Sequence, residues 1–189
     1  MVTRERGMIA AAVVLGLALV LATLYGGYVV FLRDRTTSPR RDLLLPSLPA
    51  PGQWQQSGRL PSEDGEATRT WNRPTDGFAE VVYGYHSNGA AARQFTRSSP
   101  QRTEPYLNGN ARPDDIGVRV PQADQAQYMC GEYDHQVCDT WWAWLRFGKV
   151  DVELRYEHEV GASPALTDPE LASVVTRAAT TIAAMAEGT

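Results

Sequence analysis

A long uncharged run near the N-terminus constrains this chain more than any other feature. Residues 8–32 read MIAAAVVLGLALVLATLYGGYVVFL and contain no charged side chain. A helix rises about 1.5 Å per residue, so a run of this length spans a hydrocarbon core of roughly 30 Å. A soluble core helix would carry a polar stripe, and this run has none. The sequence therefore predicts a short N-terminal tail at 1–7 and a transmembrane helix at 8–32.

Three kinds of export signal compete with an uncleaved anchor. A cleavable signal peptide has an apolar region of about 7–15 residues, which is shorter than this run. A lipoprotein signal needs a cysteine at the end of the run, and the first cysteine is Cys130. A twin-arginine signal needs adjacent arginines, but Glu5 separates Arg4 from Arg6. The anchor is thus expected to contact membrane lipid, and a row of small residues (Ala18, Ala22 and Gly26) offers a face for another membrane protein.

The rest of the chain divides by composition and charge. Residues 33–52 are rich in Arg and Pro, which predicts a juxtamembrane linker, and residues 53–189 are expected to form the globular domain. From Pro51 onward the chain carries 12 basic and 19 acidic side chains, a balance of 12 − 19 = −7. Because an acidic surface repels a phosphate backbone, nucleic acid is not an expected partner.

Two sequence signals conflict about which side of the membrane the globular domain lies on. The four arginines Arg33, Arg35, Arg40 and Arg41 follow the apolar run, whereas only Arg4 and Arg6 precede it. The positive-inside rule would then place the domain in the cytoplasm. Cys130 and Cys138 lie close together in a region that reads as a strand pair, which predicts a disulfide and an oxidising compartment. We expect a single-pass plasma-membrane protein with an extracytoplasmic domain, and a cytoplasmic domain is the alternative.

Hydrophobic periodicity predicts an α+β domain with an antiparallel meander of about five strands and one or two helices on one face. Residues 150–156 alternate strictly between apolar and charged side chains, as expected for a strand with one dry face and one wet face. Gly148 and Lys149 form a two-residue turn before that strand. The sequence TDPE at 167–170 predicts a capping box for a C-terminal helix. The other expected strands are 68–73, 79–85, 126–130 and 138–147, and Ser87 is expected to cap a short helix.

Aromatic side chains supply the main candidate binding surface. Alternation places Trp142 and Trp144 on one strand face and Trp141 on the other. One set belongs to the core, and the other set, if exposed, would bind a sugar, a peptide or a membrane interface. The alternative is that both sets are buried. Tyr133 and His135, in the loop between the cysteines, complete this candidate surface.

The chemistry of the cysteine loop allows two interpretations. A disulfide between Cys130 and Cys138 closes a short loop and stabilises the fold by roughly 2–3 kcal/mol on the chain-entropy model. A zinc site would instead use Cys130, Cys138 and His135, with His158 as a fourth ligand, but no known finger spacing matches. The disulfide uses the same cysteines more simply, so no metal and no cofactor are expected. Signatures of the common enzyme classes are also missing, so the chain is not expected to be an enzyme.

The order of features resembles a known group of proteins. An apolar span, a Pro-rich stalk, two cysteines, the hairpin sequence CDTWWAWLRFGKVDVELRY and an Ala-rich C-terminal helix follow one another. This layout is similar to membrane-anchored or lipoprotein extracytoplasmic domains of actinobacteria, including kinase sensor domains. The resemblance covers residues 130–186 and implies binding of a cell-envelope ligand or docking of a partner. The alternatives are a cytoplasmic-facing accessory subunit of a membrane complex and an envelope hydrolase.

Overall fold

The computed structural model divides the chain into two compact units, Met1–Arg35 and Thr36–Thr189. It describes residues 14, 16–28, 36–57, 65–97, 111–113, 116–132, 138–159, 161–162, 164 and 166–187. The second unit begins at Thr36, whereas the sequence predicted a domain that begins at residue 53. This difference arises from how the segment after Thr36 packs.

Helix α1, residues 16–28, is the described element of the first unit. Its alanines and leucines are strong helix formers. The large apolar side chains on it and just before it are 53 to 68 % exposed: Val14, Leu17, Leu19, Val20, Leu21, Leu24, Tyr25 and Tyr28. Within the part of the chain that the structure describes, no helix has the length and apolar character needed to cross a membrane. Residues 8–13, 15 and 29–32 of the predicted span lie outside that part, so the span stays a prediction.

One antiparallel sheet organises the second unit. Its seven strands lie in the order β1-β2-β3-β7-β6-β5-β4. The strands are β1 (Gln55–Ser57), β2 (Glu66–Asn72), β3 (Asp76–Gly84), β4 (Ala111–Pro113), β5 (Gln125–Glu132), β6 (Cys138–Phe147) and β7 (Val150–His158). The predicted α+β class is confirmed. Among the described residues the sheet has seven strands where about five were expected, and the predicted meander is wrong because β3 pairs with β7 and not with the next strand along the chain. The additional strands, β1 and β4, are three residues long and form the two edges.

The centre of the sheet joins two parts of the chain that are far apart in sequence. Strand β7 lies between β3 and β6 and is antiparallel to both. The turn from β6 to β7 uses Gly148 and Lys149, as predicted, and Gly148 adopts a φ of 57° that favours glycine. Val150, Val152, Leu154 and Tyr156 are buried on one face of β7, as the alternation indicated.

Helix α3, Asp168–Glu187, covers that apolar face. Its buried side chains recur at helical spacing: Leu171, Val174, Val175, Ala178, Ala179, Ile182 and Ala183. The glutamate half of the predicted capping box is present, because Glu170 Oε2 accepts hydrogen bonds from the Thr167 amide at 3.0 Å and from the Thr167 hydroxyl at 2.9 Å. These bonds lower the pKa of Glu170.

A short leucine segment lies on the same face beside α3. Arg41–Leu43 forms one turn of 3-10 helix, and Leu43, Leu44 and Leu45 are 0, 5 and 1 % exposed. We call Leu43–Leu45 the leucine strap. The predicted linker at 33–52 is therefore corrected, because this part of it belongs to the hydrophobic core. The Pro-rich composition on either side of the leucines indicated a stalk. Burial of the three leucine side chains is more favourable than their exposure to water, so the segment packs on the sheet.

Helix α2, Asn88–Arg97, lies on the opposite face of the sheet from α3. Tyr83 packs against Ala90 and Ala91 of α2, whereas Val82 belongs to the core beneath α3, and successive strand residues point to opposite faces. The Ser87 hydroxyl caps α2 by accepting the Ala90 amide at 3.1 Å, as predicted. The expectation that the helices share one face is wrong, because α2 covers part of the face that was expected to be wet.

Candidate functional site

A cleft of about 650 Å³ lies at the end of the sheet where β6 turns into β7. The turn residues Gly148 and Lys149 form one wall. His86 and Asn88, at the start of α2, form the second wall, and Ala186 and Glu187, at the end of α3, form the third. The cleft therefore sits where two helices on opposite sheet faces reach the same sheet end.

Two further segments complete the cleft. Thr37 and Arg40 lie against Gly84, where a Cβ atom would collide with both side chains, so glycine permits this close approach. Gln122 and Asp124, from the loop before β5, also line the cleft. Segments from five separate parts of the chain thus converge at one place.

The lining of the cleft combines apolar and polar side chains. Phe147, Val150, Tyr85 and Ala183 line it and are each less than 8 % exposed. The exposed lining includes His86, Asn88, Lys149 and other polar residues. An apolar lining with a few placed polar groups is the usual composition of a ligand pocket in proteins.

Two of the charged side chains at the cleft already hold structural partners. Arg40 forms an ion pair with Asp42 at 2.7 Å, which raises the pKa of Arg40 and lowers the pKa of Asp42. Asp124 accepts the Gly148 amide at 2.7 Å and lies 3.4 Å from the Arg146 guanidinium, so it fixes the turn from β6 to β7.

Lys149 and Glu187 are exposed at the cleft, and neither has an ion-pair partner among the described residues. These two charges of opposite sign are therefore available to a ligand. Arg40 and Asp124 instead stabilise the cleft walls through their ion pairs with Asp42 and Arg146.

A buried carboxyl lies next to the cleft on the α2 side of the sheet. Asp151 is 0 % exposed, and burial raises its pKa to about 8, against the opposing effects of Arg146 and the Tyr85 hydroxyl. Tyr85 lines the cleft, and its own pKa is raised by burial and by the Asp151 charge. Among the described residues, neither oxygen of Asp151 makes a hydrogen bond of ordinary geometry, although the Tyr85 hydroxyl acts on this carboxyl. Asp151 is therefore mostly neutral at pH 7.

The predicted tryptophan surface is corrected by the burial of its members. Trp141, Trp142 and Trp144 are 2, 8 and 6 % exposed, which is the alternative in which both sets are buried. Trp141 stacks on Tyr128 with ring centroids 5.9 Å apart, and Trp144 packs on Tyr83 at 6.0 Å. Layers on both faces of the sheet bury these rings, so they do not offer an exposed binding surface. Tyr133 and His135 lie outside the described residues.

The cysteine loop is described only in part. Cys130 is fully buried on β5, and Cys138 begins β6 opposite Glu132, next to an irregularity in the pairing. The described part of the chain holds no free cysteine. The side chains of Cys138 and His135 lie outside it, so the disulfide stays a prediction. Among the residues that are described, no group of three or more His, Cys, Asp or Glu side chains is placed to hold a metal ion.

Comparisons with protein-family models, curated proteins and solved structures find no match for this chain. The cleft is therefore identified by its geometry. Sequence reasoning located the Gly148–Lys149 turn and the Ser87 cap but did not bring them together. The signal that links them is tertiary, since it depends on the start of α2 and the end of α3 meeting at the same end of the sheet.

Proposed function

We propose that this chain is a non-enzymatic binding, sensing or accessory protein whose domain takes a small ligand in the cleft. The observation that carries this proposal is the cleft itself. Its volume of about 650 Å³ falls in the range of roughly 300–1,000 Å³ found for small-molecule sites. Its lining offers apolar surface to the body of a ligand and charged groups to its ends.

The cleft favours a ligand of mixed polarity. Phe147 and Val150 provide apolar contact area, while Lys149 and Glu187 provide charges of opposite sign. A purely apolar ligand would contact the apolar lining but would leave these two exposed charges without a partner in the ligand. A ligand with an apolar part and at least one charged group satisfies both kinds of lining.

A ligand screen on the full chain in detergent tests this function. Binding is followed by tryptophan fluorescence or by the melting temperature, using a library of small polar and amphipathic compounds. Ala186 lines the cleft and Ala184 lies exposed on the same helix outside it, so they form a matched pair. Ala186→Trp fills the cleft and should weaken binding of any hit at least tenfold, whereas Ala184→Trp should leave it unchanged. Equal affinity of both variants would place the ligand elsewhere and refute the assignment.

We further propose that α1 and the neighbouring apolar residues anchor the protein in the plasma membrane as a single pass, with the domain extracytoplasmic. The uncharged run at 8–32 and the exposed apolar side chains of α1 support the anchor. The cysteine pair supports the extracytoplasmic side, as does the likeness to actinobacterial envelope domains. The arginines after the run favour the alternative, a cytoplasmic-facing subunit of a membrane complex.

Reporter fusions at the C-terminus distinguish the two sides. A reporter that is active only outside the cytoplasm should give signal, and a reporter active only in the cytoplasm should not. The reverse pattern would refute the extracytoplasmic orientation while leaving the cleft assignment intact. An envelope hydrolase is a less favoured alternative, and turnover of cell-wall polymer by the purified protein would establish it.

A further inference from the structure

The leucine strap is held to the sheet through the backbone amide and carbonyl of one residue, Leu45. The Leu45 amide donates to both carboxyl oxygens of Glu80, at 3.2 Å to Oε1 and 3.0 Å to Oε2. The Leu45 carbonyl accepts a hydrogen bond from the Arg69 guanidinium. Arg69 and Glu80 are direct cross-strand partners on β2 and β3. Neighbouring side chains of the sheet thus hold the two ends of the strap's last residue.

The surroundings of Glu80 are almost entirely apolar. Glu80 is 0 % exposed, and its partner on β7 is Leu154. The buried side chains of α3, which packs on this face, are all Leu, Val, Ile or Ala. On the strap side, Arg40 and Asp42 pair with each other near the surface. Arg69 is the one charged side chain that acts on the Glu80 carboxyl among the described residues.

We propose that the leucine strap is a proton-coupled latch, so that its release carries Glu80 from a dry site into water and the carboxyl then gives up its proton. The step forms and breaks no covalent bond other than the O–H bond of the acid. The proton passes to solvent, and water hydrates the amide and the carbonyl of Leu45 that the release exposes.

The acidity of Glu80 sets the direction of this coupling. Burial raises the pKa of Glu80 from its ordinary 4.5 to about 8, although the Leu45 amide and the Arg69 charge act in the opposite direction. With the strap bound, the carboxyl is therefore mostly neutral at pH 7. Once exposed to water, it ionises above a pH of about 4.5. Release is thus favoured as the pH rises between these two values and is insensitive to pH outside them.

The latch affects how firmly the segment before the strap is attached to the sheet. Thr36 forms an isolated bridge with Tyr85, and the Thr37 amide donates to the Gly84 carbonyl at 2.8 Å, so these contacts hold the segment before the strap near the end of β3. Release of the strap would weaken the attachment of residues 36–45 to the sheet. A rise in pH would therefore favour detachment of this segment.

Amide hydrogen exchange at Leu45, measured on the full chain in detergent, tests the latch. The opening equilibrium constant is obtained after correction for the intrinsic pH dependence of exchange. In the wild type it should rise by up to about tenfold per pH unit between pH 5 and 8, because one proton is released in each opening event. In Glu80→Gln the constant should not change with pH, because an amide keeps an acceptor for Leu45 but does not titrate.

Two controls make the outcome decisive. Glu153→Gln removes another carboxyl whose pKa burial raises, but on the opposite sheet face, so the pH response at Leu45 should persist in it. The Leu154 amide reports global unfolding and should exchange more slowly than Leu45. A wild-type opening constant that is flat with pH would overturn the proposal, and this measurement needs no variant. Equal opening constants at Leu45 and Leu154 would also overturn it, because the strap would then open only when the domain unfolds.

Discussion

Replacing Leu43 by alanine should lower the free energy of unfolding of the domain by about 3–5 kcal/mol. Leu43 is 0 % exposed and lies in the core beside α3. The substitution removes the equivalent of three methylene groups, worth roughly 0.8 kcal/mol each on transfer to water, and a residual cavity adds to this. The result would establish that the segment expected to be a stalk is part of the hydrophobic core.

Urea unfolding of the full chain, followed by tryptophan fluorescence, measures this change. All five tryptophans belong to the second unit, so the signal reports this unit and not the N-terminal helix. Leu48→Ala is a matched control, because Leu48 is only partly buried five residues further along the same segment, and it should cost about 1 kcal/mol. A loss below about 0.5 kcal/mol for Leu43→Ala, or equal losses for the two variants, would refute the packing of the strap.

Three further predictions concern buried groups. Because the pKa of Asp151 is raised from 3.8 to about 8, its neutral form stabilises the fold below pH 4, and that stability is lost as the pH rises towards 8. Asp151→Asn should therefore gain stability over the wild type by up to roughly 1.4 kcal/mol for each pH unit in that window; denaturation curves at pH 5 and 8 with the same difference in stability would contradict this. Trp144→Ala should destabilise the domain by about 3–5 kcal/mol, whereas a loss within about 0.5 kcal/mol would indicate an exposed ring. Thiol titration of the denatured, unreduced chain should find no reactive group if Cys130 and Cys138 are paired, and two reactive groups would exclude the disulfide.

Local patterns predicted the regular elements well. The alternation in β7, the glycine in the turn before it and the Thr167–Glu170 capping box each depend on residues that are close in sequence. Their outcome is set by short-range geometry, namely strand pleating, positive φ and satisfaction of the first helical amides. These elements therefore follow from the sequence alone.

Tertiary contacts decided what the sequence did not predict. The proline-rich surroundings of Leu43–Leu45 indicated a stalk. No local signal shows that Glu80 and Arg69 on the sheet bind the amide and the carbonyl of Leu45. The charged face of β7 was expected to be exposed to solvent, because no residue near Asp151 in the sequence indicates that α2 packs over that face. The cleft combines both effects, since its walls come from segments that meet only in the folded domain.

The two edges of the sheet limit how copies of this domain can associate. Strands β1 and β4 are three residues long, and β4 ends in Pro113, which has no amide hydrogen to donate. Among the described residues, an incoming strand would find only the three residues of β1 or of β4 to pair with at the outermost strands, and short edge strands of this kind disfavour edge-to-edge pairing. Pairing of two copies through these outermost strands is therefore limited to a short register, within the part of the chain that the structure describes.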